Sequence, residues 1–340
     1  MELKLFFLLV SLAQLVTFKA FSQASSADPA EILKPTTFYI AEIKNESSSK
    51  AIAFVRNYVK QYVYKNAARR PVVLILKELK LTENAVVAQR VNGHISLVLS
   101  FGLQKNYGVE HLVDYKGKLN FNRMAKDTAV IERYLPSLLK AGLLFFNDWM
   151  IKSVNTNRKL ASNVKIRFTT YSEKAEGDTI YYAKSRPLTW ADFQSKNRPT
   201  GYFQAYVIPG IGYEQTAQLV NGTIEVDLKV KAFLPKSASW AESAGRDEYA
   251  LNHEQRHFDM VKIISEQFKQ KIIANKLTPD NYEAIINMEY LDSLRDLDAM
   301  QKAYDKETAH GQNRIAQADW NERIDKELLK IADNSNRMLP

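Results

Sequence analysis

The sequence contains no cysteine among its 340 residues. This absence excludes a disulfide framework, zinc sites built from thiolates, a thiol nucleophile and a lipid anchor on an N-terminal cysteine. Basic residues outnumber acidic ones, 47 to 38, but they are spread along the chain and form no basic tract. The net charge of +9 therefore indicates solubility, and we expect no nucleic-acid partner.

Long apolar runs are also missing, with one exception near the start of the chain. Leu5 to Val16 forms a short apolar segment after Lys4, and Ser22-Gln23-Ala24 offers a small-x-small cleavage site. The segment is too short to span a bilayer. We therefore interpret residues 1–24 as a signal peptide, with a buried N-terminal helix as the alternative. This interpretation predicts an exported protein, periplasmic or extracellular, with no integral membrane segment.

Histidine is scarce, with five residues, yet two of them stand one helical turn apart in His253-Glu254-Gln255-Arg256-His257. Residues four apart share one face of a helix, so both imidazoles can reach one ion. Zinc accepts imidazole nitrogens, and Glu254 lies where it can orient and deprotonate a water in the open position of the metal. The pattern predicts His253 and His257 as metal ligands and Glu254 as a catalytic base.

The neighbourhood of this motif predicts a long helix. No Gly or Pro occurs from Glu248 to Lys276, and both histidines fall within an apolar stripe of helical spacing. An imidazole without a partner would be costly to bury there. Either a polar group or a metal must therefore satisfy the histidines, and we favour a metal because the chemistry needs the intervening glutamate.

A second long helix is predicted from Tyr282 to Ala309, after a turn near residue 278. Two long helices joined by a short turn pack antiparallel, which brings residues 304–311 level with the histidine pair. We expect His310 to be the third ligand, with Asp305 as the alternative. Tyr304 is a candidate donor to the oxyanion of a tetrahedral intermediate, or else a core residue. The predicted inward stripe of this helix is Leu291, Leu294, Leu297, Met300 and Tyr304.

The fold class predicted from the order of elements is α+β, in two domains. Residues 25–155 read as strand, helix, three strands and helix, with a hairpin turning at Asn92-Gly93, and their role is not apparent from the sequence. A polar stretch from Ser153 to Ser162 separates them from the second domain. Residues 176–340 hold an antiparallel sheet, the two long helices and a last helix from Gly311 to Ile331 with Trp320 and Ile324 facing inward.

The motifs of the second half resemble the DUF922 type of bacterial exported proteins, a family of predicted secreted zinc-dependent proteases. The resemblance spans about residues 178–325 and does not extend to the first half. It implies a zincin-like domain, with one Zn²⁺ and a peptide or protein substrate. The matching residues are Leu188-Thr-Trp-Ala-Asp-Phe193, Ser239-Trp240, Leu251-Asn-His-Glu-Gln-Arg-His-Phe-Asp259, Tyr304-Asp-Lys-Glu-Thr-Ala-His-Gly311 and Trp320.

The sequence thus favours an exported single-zinc metallopeptidase, in which Glu254 takes a proton from water and returns it to the leaving amine. One alternative is a non-catalytic binding module of the periplasm or cell envelope, in which zinc only ties the helices together. Glu254 would have no role in that module. A zinc-free structural protein is the other alternative, and the buried position expected for both histidines disfavours it.

Overall fold

The computed structural model describes residues 37–62, 69–85, 89–171, 177–198 and 204–337. The predicted signal peptide lies outside the described residues. The chain folds into two compact units, a first unit that ends at Phe145 and a second unit that begins at Phe146. The fold class is α+β, as predicted. The domain bounds 25–155 and 176–340 stay predictions.

The first unit is a four-stranded sheet with two helices. The strands lie in the order β1-β2-β3-β4, with β1 parallel to β2 and the other neighbours antiparallel. Alternate residues of β3 from Ile95 to Leu103 are buried, as the two-residue period of a strand requires, and Ser100 and Gly102 between them are buried as well. The elements are β1 (Phe38–Asn45), α1 (Ile52–Tyr62), β2 (Arg70–Ala85), β3 (Arg90–Lys105), β4 (Gly108–Met124) and α2 (Val130–Ser153), which continues into the second unit.

The predicted hairpin turn at Asn92-Gly93 is wrong, because both residues lie inside β3 and pair with β4. The reason is steric. A Cβ on Gly93 would stand 2.6 Å from the Phe121 ring and 2.5 Å from the carbonyl oxygen of Thr82. This glycine therefore serves a close approach between strands and does not mark a reversal of the chain.

The second unit centres on strand β9 (Thr223–Pro235). The strand β8 (Gly210–Val220) pairs with it antiparallel through the predicted turn at Asn221-Gly222, and β6 (Thr179–Tyr181) also pairs antiparallel. β5 (Asn163–Thr170) pairs parallel to β9, so the sheet is not wholly antiparallel, and it includes residues before 176. A separate pair joins β7 (Ala205–Tyr206) to β10 (Trp240–Ala241). The residues of β9 buried in the core are Ile224, Val226, Leu228, Val230, Ala232 and Leu234.

Three helices complete the second unit: α3 (Glu248–Ala274), α4 (Tyr282–Thr308) and α5 (Arg314–Arg337). The predicted inward stripe of α4 is wrong at Leu291 and Leu294, which are 52% and 36% exposed. α4 has apolar residues on several faces, so periodicity alone left its rotation ambiguous. The small Ser293 occupies the core position in their place, and its hydroxyl donates to the backbone oxygen of Glu289.

Other expectations for the helices hold. Leu297 and Tyr304 are buried on α4, and Trp320 and Ile324 are buried on α5. Among the residues that the structure describes, no helix combines the length and the apolar character needed to cross a membrane.

Candidate metal centre

The helix α3 carries the His-Glu-x-x-His residues close to its N-terminus. Its N-cap is Asp247, whose carboxylate accepts the N–H of Ala250 at 2.7 Å and so satisfies one of the free amides that begin a helix. His253, Glu254 and His257 follow in the next two turns and are 7%, 5% and 7% exposed. Three polar side chains are therefore buried together on one short stretch.

The last turns of α4 bring a carboxylate to the two histidines. Asp305 Oδ1 lies 3.0 Å from His257 Nε2 and 3.3 Å from His253 Nε2. One ligand atom from each of the three residues lies within 4.8 Å of the other two, a spacing at which one ion can contact all three. Two imidazole nitrogens and a carboxylate oxygen are a donor set that zinc takes in catalytic sites, with one position left open. We call these three residues the trio, and they fit a zinc ion.

The charges of the trio stabilise one another. Burial by itself would raise the pKa of Asp305, but hydrogen bonds from His253 and His257 outweigh it and hold the pKa well below its ordinary value. Burial would likewise lower the pKa of His253, and its hydrogen bond to Asp305 together with the charge of Glu254 raises the pKa instead. The site therefore keeps a buried anion that needs a cationic partner, whether an imidazolium or a metal ion.

A cavity of about 650 Å³ opens on the trio. Its wall includes Glu254, the chain from Gln204 to Pro209 and the turn from His310 to Arg314. Burial raises the pKa of Glu254, while the charges of His257 and His253 and a hydrogen bond from the backbone of Val207 act against that rise. Glu254 thus stands beside the trio without belonging to it, as a proton acceptor of increased basicity.

His310 lies at the edge of the trio. Its Nδ1 is 3.6 Å from Asp305 Oδ1, and its side chain is half exposed in the cavity wall. The backbone leaves α4 in a left-handed turn, with φ of 50° at Ala309, 53° at His310 and 81° at Gly311. The structure therefore brings Asp305, the alternative third ligand, into the compact group, and it places His310 outside that group.

Tyr304 occupies the core position that was the alternative to an oxyanion donor. It is fully buried, and its ring stacks on the ring of His253 with centroids 4.7 Å apart. Its hydroxyl accepts from Gln317 Nε2 at 2.6 Å and donates to the backbone oxygen of His253 at 3.3 Å. This hydroxyl therefore already holds protein partners, and no contact supports the predicted oxyanion role.

Two glutamines near the trio were missed by the sequence reasoning. Gln301 lines the cavity one helical turn before Asp305, and its buried Nε2 has no hydrogen-bond partner within the described residues. Gln317 is 1% exposed, and its Oε1 lies 2.9 Å from His253 Nδ1. The register that placed residues 304–311 level with the histidines could have drawn attention to Gln301. Nothing in the sequence distinguishes Gln317 from a surface amide.

Comparisons with known proteins add little to this geometry. No family model matches the chain, and no curated protein matches it. Among solved structures, a minor lipoprotein from Acinetobacter baumannii aligns with a TM-score of 0.19 and 12% identity, over 36% of this chain and 95% of that one. The rare lipoprotein B from Shewanella oneidensis aligns with a TM-score of 0.18 and 13% identity, over 33% of this chain and 92% of that one. Likenesses at such TM-scores carry no argument about fold or function.

Proposed function

We propose that this protein is an exported single-zinc peptidase with a zincin-like second unit, in which His253, His257 and Asp305 hold the metal. The observation that carries the proposal is the convergence of these three side chains beside Glu254, in a cavity of about 650 Å³. The predicted signal peptide supports an exported location, periplasmic or extracellular. The substrate class is an unfolded or extended polypeptide.

The cavity wall suits an extended peptide. β7 pairs with β10 along one edge, and the chain from Ala205 to Ile208 borders the cavity next to Glu254. A peptide can add to such an edge as a further strand, held by backbone hydrogen bonds. The side chains of Tyr206 and Ile208 are 39% and 50% exposed and offer apolar contacts to a bound chain.

Bound zinc would polarise the scissile carbonyl and lower the pKa of the attacking water. Glu254 would accept one proton from that water as the water oxygen bonds to the carbonyl carbon. It would then pass this proton to the amine nitrogen as the C–N bond breaks. The raised pKa of Glu254 suits a group that must both take and return a proton.

The second candidate is a zinc-stabilised binding module without catalysis. The observation in its favour is that the trio and its neighbours tie three helices together, since His253 on α3 contacts Asp305 on α4 and Gln317 on α5. The two candidates differ in the role of Glu254. A peptidase needs it as a general base, whereas a purely structural ion does not need it.

The test uses the full chain, purified without chelator and reloaded with zinc. We expect one zinc per chain by elemental analysis and cleavage of unfolded casein. Glu254→Gln should keep the zinc and lose roughly 10²–10⁴-fold in cleavage rate. Glu248→Gln is the matched control, because Glu248 is exposed on the same helix and does not line the cavity. Absence of zinc would refute the proposal, and a Glu254→Gln variant with full activity would refute the mechanism.

The third ligand needs a separate comparison of two variants. Asp305→Ala should remove the zinc, because Asp305 is the carboxylate of the trio. His310→Ala should weaken binding much less, since His310 lies outside the compact group. The reverse order of effects would show that His310 is the ligand and Asp305 its neighbour, and it would leave the enzyme class unchanged.

A further inference from the structure

A chain of hydrogen bonds runs from Arg256 to His253 through two side-chain amides. Arg256 Nε donates to Asn321 Oδ1 at 3.1 Å. Gln317 Nε2 donates to the same Asn321 oxygen at 2.9 Å. Gln317 Oε1 then lies 2.9 Å from His253 Nδ1. The direction of every bond in this chain follows from its first member.

A guanidinium has donors and no acceptor, so the Asn321 atom that faces Arg256 must be its oxygen. The Gln317 atom that faces this oxygen must then be its NH₂ group, because two oxygens would repel each other at that distance. The carbonyl of Gln317 is left to face His253. The orientation of both amides is therefore fixed by chemistry, although nitrogen and oxygen are similar in shape.

The carbonyl of Gln317 is an acceptor, so the hydrogen bond between Gln317 and His253 requires a proton on His253 Nδ1. In a neutral imidazole one nitrogen carries the proton and the other carries the lone pair. The protonated ring donates to both Gln317 and Asp305, but the neutral ring can donate to only one of them. Gln317 lies 2.9 Å from Nδ1, whereas Asp305 lies 3.3 Å from Nε2 and already accepts from His257 at 3.0 Å, so the lone pair of the neutral ring is placed on Nε2. That is the nitrogen the trio needs as a metal ligand.

We propose that Gln317 is a positioning residue that fixes the Nδ1–H tautomer of His253, with Asn321 and Arg256 fixing the direction of the Gln317 amide. Its effect on zinc affinity rests on the proposed function, whereas its effect on the tautomer does not require a metal. Gln317 is 1% exposed and has partners on both sides of its amide, so its group is held in place by the fold.

The test reads the tautomer and the zinc affinity separately. Two-bond ¹H–¹⁵N correlation spectra of the metal-free full chain, labelled on histidine, report which nitrogen carries the proton. The spectra are recorded as the pH is raised until the His253 signals stop shifting, so that the neutral ring is read. The signal of His253 is identified by its loss in His253→Gln. We expect the Nδ1–H form for His253 in the wild type.

Four variants carry the argument. Gln317→Leu should abolish the Nδ1–H preference and weaken zinc binding by roughly 10- to 100-fold. Gln317→Glu keeps an acceptor for Nδ1–H but loses the donor to Asn321 and Tyr304, so it should retain the tautomer while binding zinc less tightly than the wild type. Asn321→Leu should weaken the preference, whereas Asn321→Asp should preserve it. The matched control is Gln270→Leu, an exposed amide on α3, which should change nothing.

Two results would overturn the proposal. One is an Nε2–H tautomer for His253 in the wild type or in Gln317→Glu. The other is a Gln317→Leu protein with unchanged tautomer and unchanged zinc affinity. If Gln317→Leu does not fold, the tautomers of the wild type and Gln317→Glu still decide the matter. An Nδ1–H tautomer in a protein that binds no zinc would support the positioning role and refute the peptidase.

Discussion

The two units differ in what they bury. In the described part of the first unit, Ser100 is the one buried polar side chain, and the rest of its core is apolar. The described part of the second unit buries ten polar or charged side chains, from Asp192 to Gln317. They are Asp192, Ser239, His253, Glu254, His257, Asp259, Ser265, Ser293, Thr308 and Gln317.

This difference has an energetic consequence. Burial of a polar group without a partner costs free energy, so each one must be matched by the fold. Asp259 shows how the second unit does this, because it accepts hydrogen bonds from Tyr182, Gln255 and Arg256. A unit that needed only stability could have used an apolar core, as the first unit does. The second unit bears these costs, some of them at the trio and some, as at Asp192, away from it.

Zinc should make the comparison visible as a large difference in stability between the two units. A ligand that binds only the folded state at about 1,000 times its dissociation constant adds about 4 kcal/mol to the free energy of unfolding. Trp190, Trp240 and Trp320 lie in the second unit, and Trp149 lies on α2, which spans both units, so fluorescence in a Trp149→Phe background reports the unfolding of the second unit alone. We expect zinc to delay this transition in urea and to leave hydrogen exchange of β3 unchanged. If zinc stabilised both units equally, the assignment of the metal site to the second unit would be contradicted.

Asp192 offers a test at an ion pair away from the cavity. It accepts hydrogen bonds from Arg186 at 2.7 Å and from the backbone of Thr189 at 2.7 Å. Burial would raise the pKa of Asp192, but these bonds outweigh it and lower the pKa below its ordinary value. Asp192→Asn should therefore cost about 1–3 kcal/mol at neutral pH, because Arg186 and the backbone of Thr189 lose a buried, charged acceptor.

The pH dependence of this cost follows from the sign of the shift. A depressed pKa contributes stability that is present above the unfolded value of about 4 and is lost as the pH falls through the folded value. Urea unfolding at several pH values should show the gap between wild type and Asp192→Asn closing in acid. Asp319→Asn, at an exposed site, is the control. A gap that stayed constant below pH about 4 would contradict the assigned pKa direction.

The smallest effect is expected at the exposed face of α4. Leu291 is 52% exposed, so Leu291→Ser should change the free energy of unfolding by no more than about 0.5 kcal/mol. Leu297 is 6% exposed on the same helix, and Leu297→Ala should cost about 2–5 kcal/mol. Urea unfolding followed by tryptophan fluorescence measures both. Similar decreases in the free energy of unfolding at the two sites would support the buried helix face that was predicted from the sequence.

The helices and part of the site could be predicted because their signals are local. The spacing of His253 and His257 implies a shared helix face, and the short turn near residue 278 sets the register that brings Asp305 to within 3.0 Å of His257. The choice between Asp305 and His310 was not accessible, since it depends on how α4 ends. The left-handed turn at Ala309 and His310 carries His310 to the edge of the group.

The remaining failures arise from contacts between segments distant in the sequence. Gly93 resembles a turn residue until the Phe121 ring is placed against it. The proposed role of Gln317 depends on its contacts with Asn321 and His253 and on the contact of Asn321 with Arg256. A periodic sequence pattern does not show which atom of an amide faces which partner. Pattern reasoning therefore locates the proposed metal ligands, while the residues that would orient them emerge only from the packed structure.

The strand connections also imply an order of folding. β3 and β4 are joined by two residues, Asn106 and Tyr107, so their long antiparallel pairing closes almost no loop. β9 instead meets its parallel partner β5 across about 60 residues, as the pairing of Asn163 with Thr223 shows. His257 and Asp305 are 48 residues apart. We therefore expect the first unit to begin folding from a local nucleus, whereas the trio requires closure of the 48 residues between His257 and Asp305.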